Sequence, residues 1–294
     1  MDPTDMEYIG ADERASIVNV PKLERAYELY HELGNRSQAI LNSELLYETQ
    51  IFGLKPNQHD RFFWTQVPSA HPELGIIAGE LVHDVRSSLD HLVSDLQKEK
   101  GLKRSATSQF PLYVREGDWN TRVLMRGDNE RPCETCGHLE RGSNPLEGLN
   151  DDQISLIGEY QPFATRAVCG LMNQLRLMSN VDKHRTLHAC GIRIRQPDSV
   201  AYEPAGYFEA ASVECDVGED LARVGAEFAR VERKTLRQPS FDTQMKVHWR
   251  GSAQLAFYVE GEAPVASVQD LAWMINAAYV IHVTMSPEST ARLV

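Results

Sequence analysis

Between Gly79 and Leu96 the chain reads GELVHDVRSSLDHLVSDL, and its polar residues are of the types that move protons, hold metals or steady anions. At about 100° per residue, Glu80, His83, Asp84, Ser87, Asp90 and His91 crowd one arc, with Arg86 at its edge. Leu81, Val82, Val85, Leu89, Leu92, Val93 and Leu96 fall on the other side and predict a core-facing helix. A solvated face usually carries Lys and Glu; two His and two Asp on one arc instead make Arg86, His91, Asp90 and His83 candidate catalytic residues.

A second polar cluster stands at Asn180 to His188, where Asn180, Asp182, Lys183, His184, Arg185 and His188 follow an apolar helical pattern. If this stretch is helical, His184 and His188 share a face and Asp182 lies three residues from Arg185. Lys183, His184, Arg185 and His188 are candidate substrate-binding residues, and with Arg176, Arg193 and Arg195 they form the densest positive region. Polar groups set among core helices need mutual partners to offset desolvation, so the two clusters are expected to face each other. The pairs Glu80/His83 (ExxH) and His184/His188 (HxxxH) also suit a metal held between facing helices, with Glu80, Asp84 and Asp90 as the nearby carboxylates. A third candidate is CETCGH, in which Cys133, Cys136 and His138 have the spacing of half a zinc site. A structural zinc needs four ligands and no second pair of cysteines follows, so a surface loop with two free thiols stays open beside it, and no other cofactor is expected.

The elements that must position these groups predict an α+β fold, mainly a helical bundle. An amphipathic helix opens at Pro21 and runs to about Tyr47, followed by a short hairpin, YETQIFGL and RFFWTQV, around a Pro-Asn turn. FPLYV (Phe110 to Val114) reads as a strand, and 115–150 as a long insertion without sustained periodicity. Asn150-Asp151-Asp152 starts a helix that Gln161-Pro162 closes, and another helix covers about Thr165 to Ser179. From Ala189 the pattern turns to alternation in CGIRIRQ, YFEAASVECDV, MKVHWRG and AQLAFYVEG. The segment Glu219 to Lys234 fits helix or strand, and the surrounding strands favour strand. Ser267 to Met285 forms a last helix, with His282 as a hydrogen-bonded core residue, whose stripe returns to the bundle. The expected organisation is a bundle over 1–188, a β-rich part over 189–265 and a C-terminal helix over 266–294.

Composition narrows the function classes. With 294 residues, 42% hydrophobic, the chain can bury a large core. No apolar run approaches a bilayer span and the start is acidic, so no membrane association and a cytoplasmic location are expected. Five Cys is an odd count and argues for reduced thiols. A net charge of −12 argues against a broad nucleic-acid-binding surface, since such binding depends on phosphate neutralisation.

The series GELVHDVRSSLDHLV, FPLYV, LEGLNDDQISLIGEYQPF and LMNQLRLMSNVDKHRTLH resembles a widespread bacterial family. In that family an HxxRSxLDHL helix is followed by a phenylalanine-proline strand, a glutamine-proline helix end and a DKHR motif. The resemblance covers roughly Ala26 to Arg195 and implies a helical bundle with an added β part, but no activity. Arg86 to His91 also resembles the Arg-x4-His signature of HEPN ribonucleases, helical bundles that cut RNA without metal and are commonly dimers. That resemblance implies a metal-independent endoribonuclease, in a toxin or phage-defence setting, with His91 acting on the ribose 2′-hydroxyl and Arg86 steadying the phosphate. Residues five apart on a helix differ by about 140°, so the implied site is shared across a homodimer formed through the helix at 79–96. Two alternatives stay open: a partner-binding protein whose His/Asp/Arg network is structural, Asp90 pairing with Arg86, and a metal-binding bundle.

Overall fold

In a computed structural model of the chain the described residues are 20–44, 46–50, 59–66, 71–102, 109–124, 130–132, 139–141, 144–165, 167–182, 188–194, 199–203, 205–215, 224–225, 227–237, 246–250, 253–258 and 264–285. The architecture is α+β. It divides into two compact units, a helical one of Met1–Tyr30, Ala78–Arg185 and Gln269–Val294 and a β-rich one of His31–Ile77 and Thr186–Val268. No helix among the described residues is long and apolar enough to cross a membrane.

Helix α1 is Pro21–Glu44 and α2 is Pro72–Glu99. The short α3, Glu116–Trp119, runs into one π-helical turn at Asn120–Leu124. Next come α4, Asp151–Glu159, and α5, Ala167–Asp182, and α6 closes the described chain at Val268–Met285. The seven apolar residues that predict the inward face of α2, Leu81 through Leu96, are all buried. At α4 the expected start is observed: the Asn150 side chain accepts from the Gln153 N–H at 2.8 Å, and the Gln153 side chain accepts from the Asn150 N–H at 3.1 Å, a reciprocal capping box.

The central element of the helical unit is α6, in which Leu271, Met274, Ile275, Ala278 and Ile281 are buried together with Ala277, Asn276 and His282 on its other sides. A helix apolar nearly all round is stable only when covered all round. Its His282 makes a hydrogen bond with the Ser88 backbone of α2, so the expected return of this helix to the bundle is observed.

Among the described residues the β-rich unit holds three sheets. β1 (Leu46–Gln50), β2 (His59–Gln66), β7 (Phe208–Cys215) and β8 (Glu227–Thr235) form an antiparallel sheet in the order β1-β2-β8-β7. β5 (His188–Ile194), β10 (Ala253–Tyr258) and β11 (Pro264–Ser267) form a second, in the order β11-β10-β5. β6 (Ser199–Glu203) pairs with β9 (Lys246–Arg250). The stretch that fits both helix and strand is strand over β8. The hairpin, grouped in the sequence with the bundle over 1–188, pairs through β2 with β8. The physical reason is the free hydrogen-bonding edge of β2 and its alternation, which buries Asp60, Phe62 and Trp64 on one face; the Trp64 and Phe228 rings stack at 4.0 Å. The insertion at 115–150 also carries a short ladder, β3 (Glu130–Pro132) with β4 (Leu139–Arg141), too brief for periodicity to reveal.

Within the β unit Asp60 and Arg233 form a buried ion pair at 3.2 Å, and the Tyr202 hydroxyl donates to the same Asp60 oxygen at 3.0 Å. The Arg233 guanidinium lies over the Phe208 ring at 5.1 Å. Burial pushes the Asp60 carboxyl up, against the pull of Arg233 and the Tyr202 hydroxyl, and the same burial beside a carboxylate pushes the Tyr202 phenol far up.

Burial in the helical unit holds His282 down to about 4, with the Ser88 backbone and Asp95 opposing and His91 adding to the shift. The unfolded chain therefore takes up this proton near pH 6.5 while the folded chain resists it until about pH 4, and folding stability is lost as pH falls through that window. Urea unfolding at about pH 7.5 and about pH 5 should show the wild type losing about 2 kcal/mol more than His282→Leu over this interval. Equal losses in the two proteins would refute the assignment.

Candidate functional site

The arc singled out in the sequence lies on α2, and both ends of that helix are defined by local chemistry. Pro72 occupies the first turn, where a missing N–H costs nothing, and Glu73 complements the positive end. At the other end Gly101 takes a positive φ of 74°, its N–H donates to the Lys98 carbonyl at 2.8 Å, and Leu102 N–H donates to the Gln97 carbonyl at 3.1 Å. That is a Schellman cap, which only glycine adopts without strain.

The structure splits the arc in two. Asp84, Arg86 and Asp90 turn toward neighbouring chain, whereas Glu80, His83 and His91 are exposed and Ser87 is half-buried. Asp84 is buried and receives the Lys22 ammonium of α1 at 2.6 Å. Arg86, with 15% of its side chain exposed, sits 3.2 Å from Asp90 Oδ1 and donates through Nη2 to the Phe110 carbonyl. Asp90 Oδ1 in turn accepts the Phe110 N–H at 2.8 Å. Both peptide groups of Phe110 are thus satisfied by one pair of side chains a single helical turn apart. Burial lowers the Arg86 guanidinium from its ordinary value and Asp90 opposes the shift; a group that begins so far above neutrality stays charged.

The expected strand at Phe110 to Val114 is absent, and the same bonds give the reason. Gln161, fully buried just beyond α4, donates from Nε2 to the Pro111 carbonyl at 2.9 Å and accepts the Tyr113 N–H on Oε1 at 3.0 Å. Its amide also reaches the Ile157 carbonyl at 3.2 Å, which anchors it to α4. Arg86, Asp90 and Gln161 together supply what a neighbouring strand would, so the segment's polar groups are met without its belonging to a sheet. Phe110 and Pro111 are buried in consequence. Farther along α2, Gln97 Nε2 binds the carbonyls of Pro145 and Glu147 at 3.3 and 2.9 Å and secures a second loop in the same manner. That loop includes Gly148, at φ 84°, where an added Cβ would stand 1.9 Å from Leu102 Cδ1.

The exposed half of the arc is simpler. The His83 Nε2 and Ser87 Oγ are 3.3 Å apart, and His91 lies one further turn along the same face. Among the described residues no three His, Cys, Asp or Glu side chains gather into a metal-holding group. Cys133, Cys136 and His138 lie outside the described residues, as do Lys183, His184 and Arg185. Helix α5 ends at Asp182, and His188 stands at the start of β5. Gln97, Gln161 and the Asp60–Tyr202–Arg233 cluster were not visible as site residues in the sequence. The only local signal was Gln161-Pro162 as a helix end, and nothing in it points to partners fifty residues away.

In comparisons with known proteins, no family model, no curated protein and no solved structure matches the chain.

Removing either side of the clamp strands buried peptide groups, each costing about 1–3 kcal/mol. Urea unfolding should therefore find Arg86→Ala destabilised by about 3 kcal/mol and Gln161→Leu by about 2 kcal/mol. The exposed His83→Ala should stay within about 0.5 kcal/mol of wild type. An Arg86→Ala protein of unchanged midpoint would contradict the clamp.

Proposed function

We propose that the chain is a non-catalytic, partner-binding protein in which the Arg86–Asp90 network is structural and the exposed face of α2, with Glu80, His83 and His91, is the binding surface. One observation carries this reading: Arg86 has its Nη2 engaged by both Asp90 and the Phe110 carbonyl. Turning it toward a phosphate would leave a buried carbonyl and a carboxylate without their partner, a cost of several kcal/mol, about 3 or more. An anion-stabilising site built on this helix would compete with these two contacts for Arg86. Asp90 is likewise engaged, which leaves the histidines without a carboxylate from the clamp to orient them.

A second reading has its own support. His83 and His91 are exposed on one face, and histidine is the side chain most often used as a general acid or base. Under this reading the helical unit is a HEPN-like bundle, the protein a metal-independent endoribonuclease of a toxin or phage-defence system, and RNA its substrate. His91 then acts on the 2′-hydroxyl, and the cation for the phosphate comes from a residue other than Arg86.

The two readings part in a direct assay. Purified wild-type and His91→Ala proteins, each incubated with total cellular RNA, should both leave it intact, and induced expression should leave growth unchanged. RNA cleavage or growth arrest that His91→Ala abolishes would overturn the binding reading in favour of the ribonuclease.

A further inference from the structure

Within the insertion at 115–150, β3 and β4 pair antiparallel in three steps, Glu130 with Arg141, Arg131 with Glu140 and Pro132 with Leu139. Among the described residues this ladder is a sheet of its own, with no third strand on either edge. A pair of three-residue strands is marginal in water at best, because so few hydrogen bonds do not offset the entropy of ordering the chain. The register helps at one end, where opposite charges stand directly across from each other at the first two pairs. At the other end Pro132 has no N–H to give to the ladder.

That weaker end leads into a dense set of metal ligands. The six residues that join Pro132 to Leu139 are CETCGH, with Cys133 first, His138 last and Cys136 between. Those six lie outside the described residues; what is described is the pair that closes behind them. A paired ladder keeps opposite residues about 5 Å apart, so much of the loop-closure entropy of bringing Cys133 and His138 to one centre is met by β3 and β4. Thiolate and imidazole are the donors that zinc-class ions prefer. Among the described residues no three His, Cys, Asp or Glu side chains gather to compete for such an ion.

We propose that Cys133, Cys136 and His138 hold one zinc-class ion at the tip of the β3–β4 hairpin, and that this ion is the cross-link the short ladder needs. The ladder brings the ligands together and the bound ion keeps the ladder paired, as structural metals do in small folds. Two thiolates and one imidazole fill three positions of a tetrahedron, and water takes the fourth, as in sites with three protein ligands. Each cysteine thiol gives its proton to solvent when the ion binds, so affinity falls as pH falls. The ion site does not depend on the role given to the exposed face of α2.

The full-length chain, purified reduced and without chelator, tests this by elemental analysis and by titration with zinc and cobalt(II). About one zinc per chain is expected, and cobalt(II) in its place should give the intense near-ultraviolet band of thiolate-to-metal charge transfer. Cys133→Ser with Cys136→Ser should lose both the zinc and the band. His138→Ala should keep the band and bind at least about tenfold more weakly, with circular dichroism verifying that the variants are folded. Alkylation with peptide mapping reads the unmutated chain: Cys133 and Cys136 should be protected in zinc and react after EDTA. The proposal falls if the wild type takes up no zinc and gives no cobalt band, if the double serine variant keeps them, if His138→Ala binds undiminished, or if the two cysteines alkylate equally with and without EDTA. Amide exchange reads the cross-link itself, since the amides of β3 and β4 should exchange faster once EDTA has removed the ion; equal rates in zinc and in EDTA would overturn that half of the proposal.

Discussion

A buried peptide group must find a hydrogen-bonding partner, and Phe110 and Pro111 are buried where none of the described strands pairs with them. The chain answers with side chains drawn from two distant places. Arg86 and Asp90 take both polar groups of Phe110, and Gln161 takes the Pro111 carbonyl and the Tyr113 N–H. Much of the helical unit follows from that need. α2 has to present a charged pair at one-turn spacing, α4 has to end where a glutamine can reach back, and the loop has to lie between them. Trp119 completes the enclosure, with the Tyr113 and Phe163 rings at 6.4 and 6.2 Å.

This organisation gives α2 several separate duties around its circumference. Its Leu and Val side makes the core, Asp84 ties it to α1 through Lys22, Arg86 and Asp90 hold one loop, and Gln97 holds another. What remains exposed in the middle of the helix is Glu80, His83 and His91, with Ile76 before them and Asp95 and Lys98 beyond. Residues that work for the fold are thereby separated from residues free to meet a partner, although in the sequence they lie on one arc. A helix wheel measures angle alone. It carries no information on which neighbour, loop or solvent stands opposite each angle, and here that difference decides which side chains remain available.

Several elements were legible in the sequence because their signals are local and strong. The seven apolar positions of α2, the Asn150 start of α4 and the closing helix α6 each follow from periodicity or capping within one or two turns. The strands β5, β7, β9 and β10 followed from alternation. The segment at Phe110 to Val114 was read as a strand because its composition is that of one; its partners are side chains, and pairing type has no local signature. The hairpin β1–β2 was legible as a hairpin, but its pairing with β8 joins residues more than 160 positions apart, which no window sees. For the site, His83, Arg86, Asp90 and His91 were found by residue type. Their division into a clamp and an exposed stripe depends on where Phe110 lies, and that is a tertiary fact.

Two charged clusters among the described residues, one in each unit, contrast in a way that bears on why they exist. In the β unit Arg233 and the Tyr202 hydroxyl both meet Asp60 Oδ2, and their attraction offsets part of their desolvation. Such a set is replaceable in principle by apolar residues of similar volume, because removing all members together leaves nothing stranded. The Arg86–Asp90 pair differs in kind. Its members also serve the backbone of Phe110, and a peptide group cannot be mutated away. Any apolar replacement at these two positions would leave a buried N–H and a buried carbonyl without partners, whatever volume it filled. The requirement at these positions is therefore for a donor and an acceptor one turn apart, and Arg with Asp meets it with the reach that a loop crossing the helix demands. Backbone satisfaction is thus a structural reason for Arg and Asp at one-turn spacing on this helix.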